Sequence, residues 1–216
     1  MKNSAAFFDV DETIINIKSM FDFFAFWCRE RKDPDKLDVY MMHFRSEVKN
    51  GTPREKINRD YYRQFSGVRY RELEEAGERW FSDKLKSGVF IESAVSALKK
   101  HQAGSRRVVF ISGSMLPVLS PVAKYLGVKD ILCAPLKLTA AGMLTGEIDT
   151  PQTIGFGKRE ALMTFCNEKG IAPADCYAYG DDLSDIPMLE ATGHPICVGR
   201  STNLASYATT HRWPII

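Results

Sequence analysis

The chain has 216 residues, 44% of them hydrophobic and 26% charged, and a formal net charge of +2. This ordinary globular balance excludes disordered, collagen-like and disulfide-scaffold classes, and a net charge so near zero gives no support to a nucleic-acid partner. No stretch reaches the ~18–20 apolar residues of a membrane span, and the apolar run 14–27, interrupted by Asn16, Lys18, Ser19 and Asp22, lacks the basic leader of a signal peptide.

In chain order, Ala5-Ala6-Phe7-Phe8 is a continuous apolar run ending at Asp9, which predicts a buried first strand. Residues 16–87 then show only helical periods. Ser19 and Asp22 read as a capping box ahead of Phe23, Phe24, Phe26 and Trp27. Asp33-Pro34 opens a second helix with the stripe Leu37, Tyr40, Met41, Phe44 and Val48. Thr52-Pro53-Arg54-Glu55 opens a third, leading to Ile57, Tyr61 and Phe65, and a fourth carries Leu73, Ala76, Trp80 and Phe81. These predict a helical cap, residues 16–87, inserted into a core of residues 1–15 and 88–216. In the core, apolar runs at 107–111, 131–134, 176–179 and 195–198 alternate with helical periods at 92–101, 116–126 and 158–169. That alternation predicts an α/β fold with a doubly wound, mostly parallel sheet. Residues 136–139 and 143–148 around Ala141-Gly142 predict a hairpin flap. The five cysteines form no CxxC pair, so reduced thiols and a cytoplasmic location are expected. The four histidines are too scattered to suggest a metal site.

Carboxylates cluster where strands end. Asp9-Val10-Asp11-Glu12-Thr13 follows the first strand, and chemistry in open α/β sheets sits at the carboxyl ends of strands. Two acids so close repel one another unless a cation or a shared proton compensates, and Mg²⁺ suits an oxygen-only site. Gly180-Asp181-Asp182-Leu183-Ser184-Asp185 ends another strand, and Asp181 and Asp185 could complete a metal site. Either cluster alone would also fit turn and cap chemistry; two of them favour a site. Ile111-Ser112-Gly113-Ser114 offers a hydroxyl and backbone N–H groups for a phosphate, the plainer alternative being a helix N-cap at Ser114. Lys158 stands in the first turn of a helix, where the dipole disfavours a cation unless an anion is near.

These four motifs, in this order, resemble the haloacid dehalogenase superfamily, and the helical insert resembles its C1 cap. The second motif and the hairpin are most similar to the phosphoserine-phosphatase-like branch, subfamily IB. The resemblance implies that Asp9 is the nucleophile, that Asp11 is the general acid and base, and that Ser112, Gly113 and Lys158 bind phosphate. It further implies that Asp9, the Asp11 carbonyl and Asp181 bind Mg²⁺, with Asp185 in support through water or through Lys158. The expected activity is Mg²⁺-dependent hydrolysis of a phosphorylated small molecule through an aspartyl-phosphate. A phosphotransferase or phosphomutase would use the same residues, and a non-catalytic binding protein is the remaining alternative. The second aspartate argues against a dehalogenase.

Several positions depart from the phosphoserine phosphatase pattern: Glu12 and Asp182 stand in place of Gly, Ser184 in place of Asn, and Lys18 in place of a Glu that meets the substrate ammonium. Lys18 would repel an ammonium, so phosphoserine is not the expected substrate; the lysine could instead contact an anionic group. The cap segment holds 16 Lys and Arg against 13 Asp and Glu, a slight lean toward an anion. Its aromatic run from Phe21 to Trp27 is expected mainly to pack the cap, with a pocket for a larger alcohol as the alternative. The oligomeric state is not legible.

Overall fold

The computed structural model describes residues 3–216. Strand β1 (Ala5–Phe8) is buried along its whole length, as a four-residue apolar run requires. Four helices follow: α1 (Ser19–Glu30), α2 (Pro34–Lys49), α3 (Arg54–Arg63) and α4 (Tyr70–Lys86). The chain continues through α5 (Glu92–Ala103), β2 (Arg107–Met115), α6 (Leu116–Leu126) and β3 (Asp130–Ala134). Next come a hairpin of β4 (Leu136–Leu138) and β5 (Leu144–Ile148), then α7 (Phe156–Lys169) and β6 (Tyr177–Gly180). Residues 183–185 form a 3-10 turn ahead of α8 (Ile186–Leu189), β7 (His194–Cys197) and α9 (Leu204–Thr210).

Five parallel strands pair in the order β3-β2-β1-β6-β7. Alternate residues of a strand face opposite sides of its sheet, so Ala6, Phe8, Val108 and Phe110 join one buried cluster with α5, α6 and the inserted helices. Ala5, Phe7, Val109 and Ile111 join another, covered by α7, α8 and α9. Both faces are therefore covered, and the sheet is doubly wound. The expected hairpin is present as an antiparallel pair, and its backbone also bonds residues 67–70, between α3 and α4.

The inserted helices pack through aromatic rings. Phe23, Phe24, Phe26 and Trp27 are buried, and Phe65 lies against Phe23, Phe24 and Trp27. Where α4 crosses α6 the backbones touch: a Cβ at Gly77 would sit 2.0 Å from the Pro117 carbonyl oxygen. The Ser19–Asp22 capping box does not form. Ser19 is the first helical residue, with Lys18 at the cap position and no side-chain cap bond. The Asp22 carboxylate instead accepts from the Trp80 indole at 2.7 Å and from Lys84 at 2.7 Å. A buried indole N–H needs an acceptor, and that tertiary demand overrides the local signal. Nor does Ser114 cap a helix, because β2 runs on to Met115 and keeps Ser114 extended. The stripe on α2 is only partly a core stripe: Tyr40 is buried, while Val48 is 53% exposed.

Candidate active site

The strand order reverses between β1 and β6, and an open sheet leaves its crevice at the carboxyl ends of such strands. Asp9 stands there directly after β1, its N–H bonded to the Tyr179 carbonyl at 3.0 Å, and Asp181 stands directly after β6. Beyond Asp9 the backbone folds tightly: the N–H groups of Thr13, Ile14 and Ile15 all reach the Val10 carbonyl, and Glu12 takes a φ of 56°. This turn brings Asp9 and Asp11 into one mouth.

The floor of the site is a buried charge cluster. The Lys158 ammonium lies 2.8 Å from Asp9 Oδ1 and 2.6 Å from Asp185 Oδ1. Asp9, Asp181 and Asp185 each offer a carboxylate oxygen, all within 4.8 Å of one another. Asp185 reaches this position because residue 180 is glycine: a Cβ there would come within 2.6 Å of Asp185 Oδ2. Thr13 donates to Asp181 Oδ1 at 2.8 Å. Burial pushes the Asp9 carboxyl well above the usual range, Lys158 opposes this, and Asp185 and Asp181 push it further up. Asp181 is raised to about 7, by burial first and then by Asp185. Lys158 is held above the ordinary lysine range, because Asp185 and Asp9 outweigh the burial that would lower it. One ammonium thus faces three carboxylates. The uncompensated charge and the all-oxygen donor set fit a hard divalent cation such as Mg²⁺.

Asp11 is held differently. Its Oδ2 accepts from the Ser19 backbone N–H at 3.0 Å and lies 3.0 Å from the Ser19 hydroxyl, which is also 3.0 Å from Ser114 Oγ. Its Oδ1 is buried without a protein partner. Burial raises Asp11 to about 6 against the lowering effect of the Ser19 bonds. A carboxyl group that exchanges its proton near neutrality suits both acid and base work.

Across the mouth, Ser112 Oγ accepts from the Ser114 N–H at 3.1 Å, so its own proton is free to be donated outward. The Ser112 carbonyl is held by the Thr153 hydroxyl at 2.6 Å. The Gly113 carbonyl accepts from the Tyr62 hydroxyl and, at 3.4 Å, from Asn58 of α3. Gln152 fixes Asn58 with a 2.8 Å bond. The inserted helices therefore orient the end of β2 directly. Lys18 lies at the rim, 3.2 Å from Glu12. Arg54 reaches from the start of α3 to Asp182 Oδ1 at 2.7 Å and Ser184 Oγ at 2.9 Å. A cavity of about 370 Å³ is lined by Asp9, Asp11, Ser112, Gly113, Lys158 and Asp181, with Lys18 at its edge. The sequence reading missed Ser19, Arg54, Asn58, Tyr62, Gln152 and Thr153. The spacing of α3 offered a signal: Arg54 and Asn58, one turn apart, flank its apolar positions on the cavity side.

A sequence profile of haloacid dehalogenase-like hydrolases matches residues 6–190. Among similar proteins, one from Mycobacterium tuberculosis named "Probable phosphatase" is 27% identical over 99% of this chain and 75% of its own length. A Streptomyces azureus "Inhibition of morphological differentiation protein" is 30% identical over 59% of this chain, and the match spans 46% of that relative's length. Among solved structures, a Bordetella pertussis protein of unknown function superposes with a TM-score of 0.90 at 22% identity, over 100% of this chain and 99% of that one. A substrate-bound phosphoserine phosphatase superposes with a TM-score of 0.68 at 20% identity, over 96% and 90%. At such identities the structures speak to fold alone. With the profile spanning most of the sequence, the chain belongs to the haloacid dehalogenase-like hydrolase family.

Proposed function

We propose that the chain hydrolyses a small-molecule phosphomonoester through an aspartyl-phosphate on Asp9, with Mg²⁺ held by Asp9, Asp181 and the Asp11 carbonyl. The observation that carries this reading is the Lys158 ammonium shared between Asp9 and Asp185 beside Asp181, on the floor of a cavity that Asp11 also enters. The names borne by relatives such as the M. tuberculosis protein support it.

In the first step an Asp9 carboxylate oxygen attacks phosphorus and the ester P–O bond breaks. Asp11 donates its proton to the departing alkoxide; because both Ser19 bonds go to Oδ2, the unpartnered Oδ1 is the oxygen left to carry that proton. In the second step water attacks phosphorus, its proton passes to Asp11, and the P–O bond to Asp9 breaks. Two easier displacements replace one hard one. Lys158, the Ser112 hydroxyl and the Gly113 N–H neutralise and position the phosphoryl oxygens, which is most of what phosphoryl transfer requires. Bound Mg²⁺ would add charge compensation at the phosphoryl group. Asp185 positions Lys158.

Phosphate release from a panel of phosphomonoesters, with Mg²⁺ and with EDTA, tests the reading. Release should fall to background with EDTA and in Asp9→Asn, and borohydride should trap the acyl phosphate only when Asp9 is present. Undiminished release in Asp9→Asn would refute it.

A further inference from the structure

The cavity has two chemically distinct ends. The phosphate end carries the charged groups already described. The cap end is walled by Met20, Phe21, Phe44, Val48 and Ile57, from α1, α2 and α3. Phe44 and Val48 belong to neither buried cluster of the protein, and Phe44 meets Phe21 edge-on with ring centroids 4.7 Å apart. Apolar side chains left out of the core and gathered around a cavity are the mark of a binding wall.

Every polar side chain that the cap contributes to this cavity is already engaged within the protein. Lys18 pairs with Glu12 at 3.2 Å, and Arg54 pairs with Asp182 at 2.7 Å and Ser184 at 2.9 Å. Thr52 donates to Glu47 at 2.8 Å, and Asn58 is held between the Gly113 carbonyl and Gln152. Both acids that neutralise the cap cations, Glu12 and Asp182, come from the core and stand at positions noted in the sequence as departures. A charged leaving group would meet cations whose charge core acids already offset, so less of its desolvation would be compensated than beside an unpaired lysine or arginine.

We infer that the cap end selects an uncharged, apolar alcohol, aromatic or branched aliphatic, and that Glu12 and Asp182 enforce this by neutralising Lys18 and Arg54. The inference rests on the phosphatase reading for the phosphate end of the cavity and adds to it the class of alcohol released. A site whose cap cations are already ion-paired and whose wall is apolar discriminates against charged groups by desolvation, whereas each matched hydrocarbon group is worth about tenfold or more.

Binding of non-hydrolysable phosphonates to the full chain with Mg²⁺, followed by calorimetry, tests this independently of turnover. 2-Phenylethylphosphonate should bind at least about tenfold more tightly than 2-amino-4-phosphonobutyrate, the isostere of phosphoserine. Phe44→Ala should remove most of that preference while leaving methylphosphonate binding as it was, which also shows that the variant is folded. Asp182→Ala should free Arg54 and raise affinity for 3-phosphonopropionate several-fold, and adding Arg54→Ala should cancel the gain. Equal or tighter binding of the amino-acid phosphonate by the unaltered chain overturns the inference, as does failure of every phosphonate to bind. The phosphatase reading fails by a different result: the expected binding preference with no phosphomonoester turned over.

Discussion

In the proposed reaction Asp11 carries two tasks with two oxygens. Oδ2 is fixed by Ser19, and Oδ1 is buried without a partner. Replacing Asp11 by Asn keeps an oxygen for Ser19 to hold and removes only the transferable proton. The expected loss in rate is about 10²–10⁴-fold for alkyl phosphates, whose alkoxide leaves poorly unprotonated, and markedly smaller for p-nitrophenyl phosphate, whose phenolate needs little help. Steady-state kinetics on both esters checks this, and an equal loss on the two would contradict the acid role. At this scale the sequence was informative wherever a residue type implied its own chemistry: carboxylates after an apolar strand, or a lysine in a helix's first turn. It was uninformative for Ser19 and Asp22, because a hydroxyl and an acid three residues apart look like a cap whatever they bind. What redirected Asp22 was the Trp80 indole 58 residues away, and no local window contains it.

At the scale of elements, α5 meets β6 through a buried imidazole. His101 Nδ1 faces the Arg106 guanidinium at 2.6 Å, which can only donate, so Nδ1 accepts and Nε2–H donates to the Tyr179 hydroxyl at 2.8 Å. The fold therefore requires the neutral ring. Burial first, and the Arg106 charge second, lower His101 from 6.5 to about 4. Between those values the unfolded chain binds a proton at this histidine that the folded chain does not, so the contribution of His101 to stability declines as pH falls from 6.5 toward 4, opposite in sign to that of the raised carboxyl groups of the site. Urea unfolding at pH 7 and pH 5 should show the stability of the unaltered chain relative to His101→Gln falling between the two pH values, whatever the buried carboxyl groups of the site do in both proteins. The strands themselves were legible because both faces of the sheet are covered, which leaves short unbroken apolar runs. The seven-residue α9 and the 3-10 turn at 183–185 were not, since neither is long enough to show a period. The periodicity of α3 pointed only to its apolar positions Ile57, Tyr61 and Phe65, yet Asn58 and Tyr62 hold the Gly113 carbonyl.

Across the whole molecule, the inserted helices share one buried cluster with a face of the sheet. The bare approach of α4 to α6 at Gly77 and the polar contacts of α3 with Gly113 add to that continuity. The proposed cap of residues 16–87 should therefore not melt separately: calorimetry should give one transition with equal calorimetric and van't Hoff enthalpies. Mg²⁺ should move that transition upward with its concentration, by about 2.7 kcal/mol at a hundredfold excess over its dissociation constant, and EDTA should reverse the shift. Two separated transitions would mean that the shared cluster is not cooperative.

The bond between Ser19 and Asp11 joins the first residue of α1 to the proposed acid of the candidate site. In the proposed reaction, a swing of that helix away from the sheet would pull both donors off Asp11 together, so the carboxyl group would keep its aim only with α1 seated. An ester meeting the site with α1 displaced would face a misaligned acid, so seating that helix would also arm the proposed catalyst.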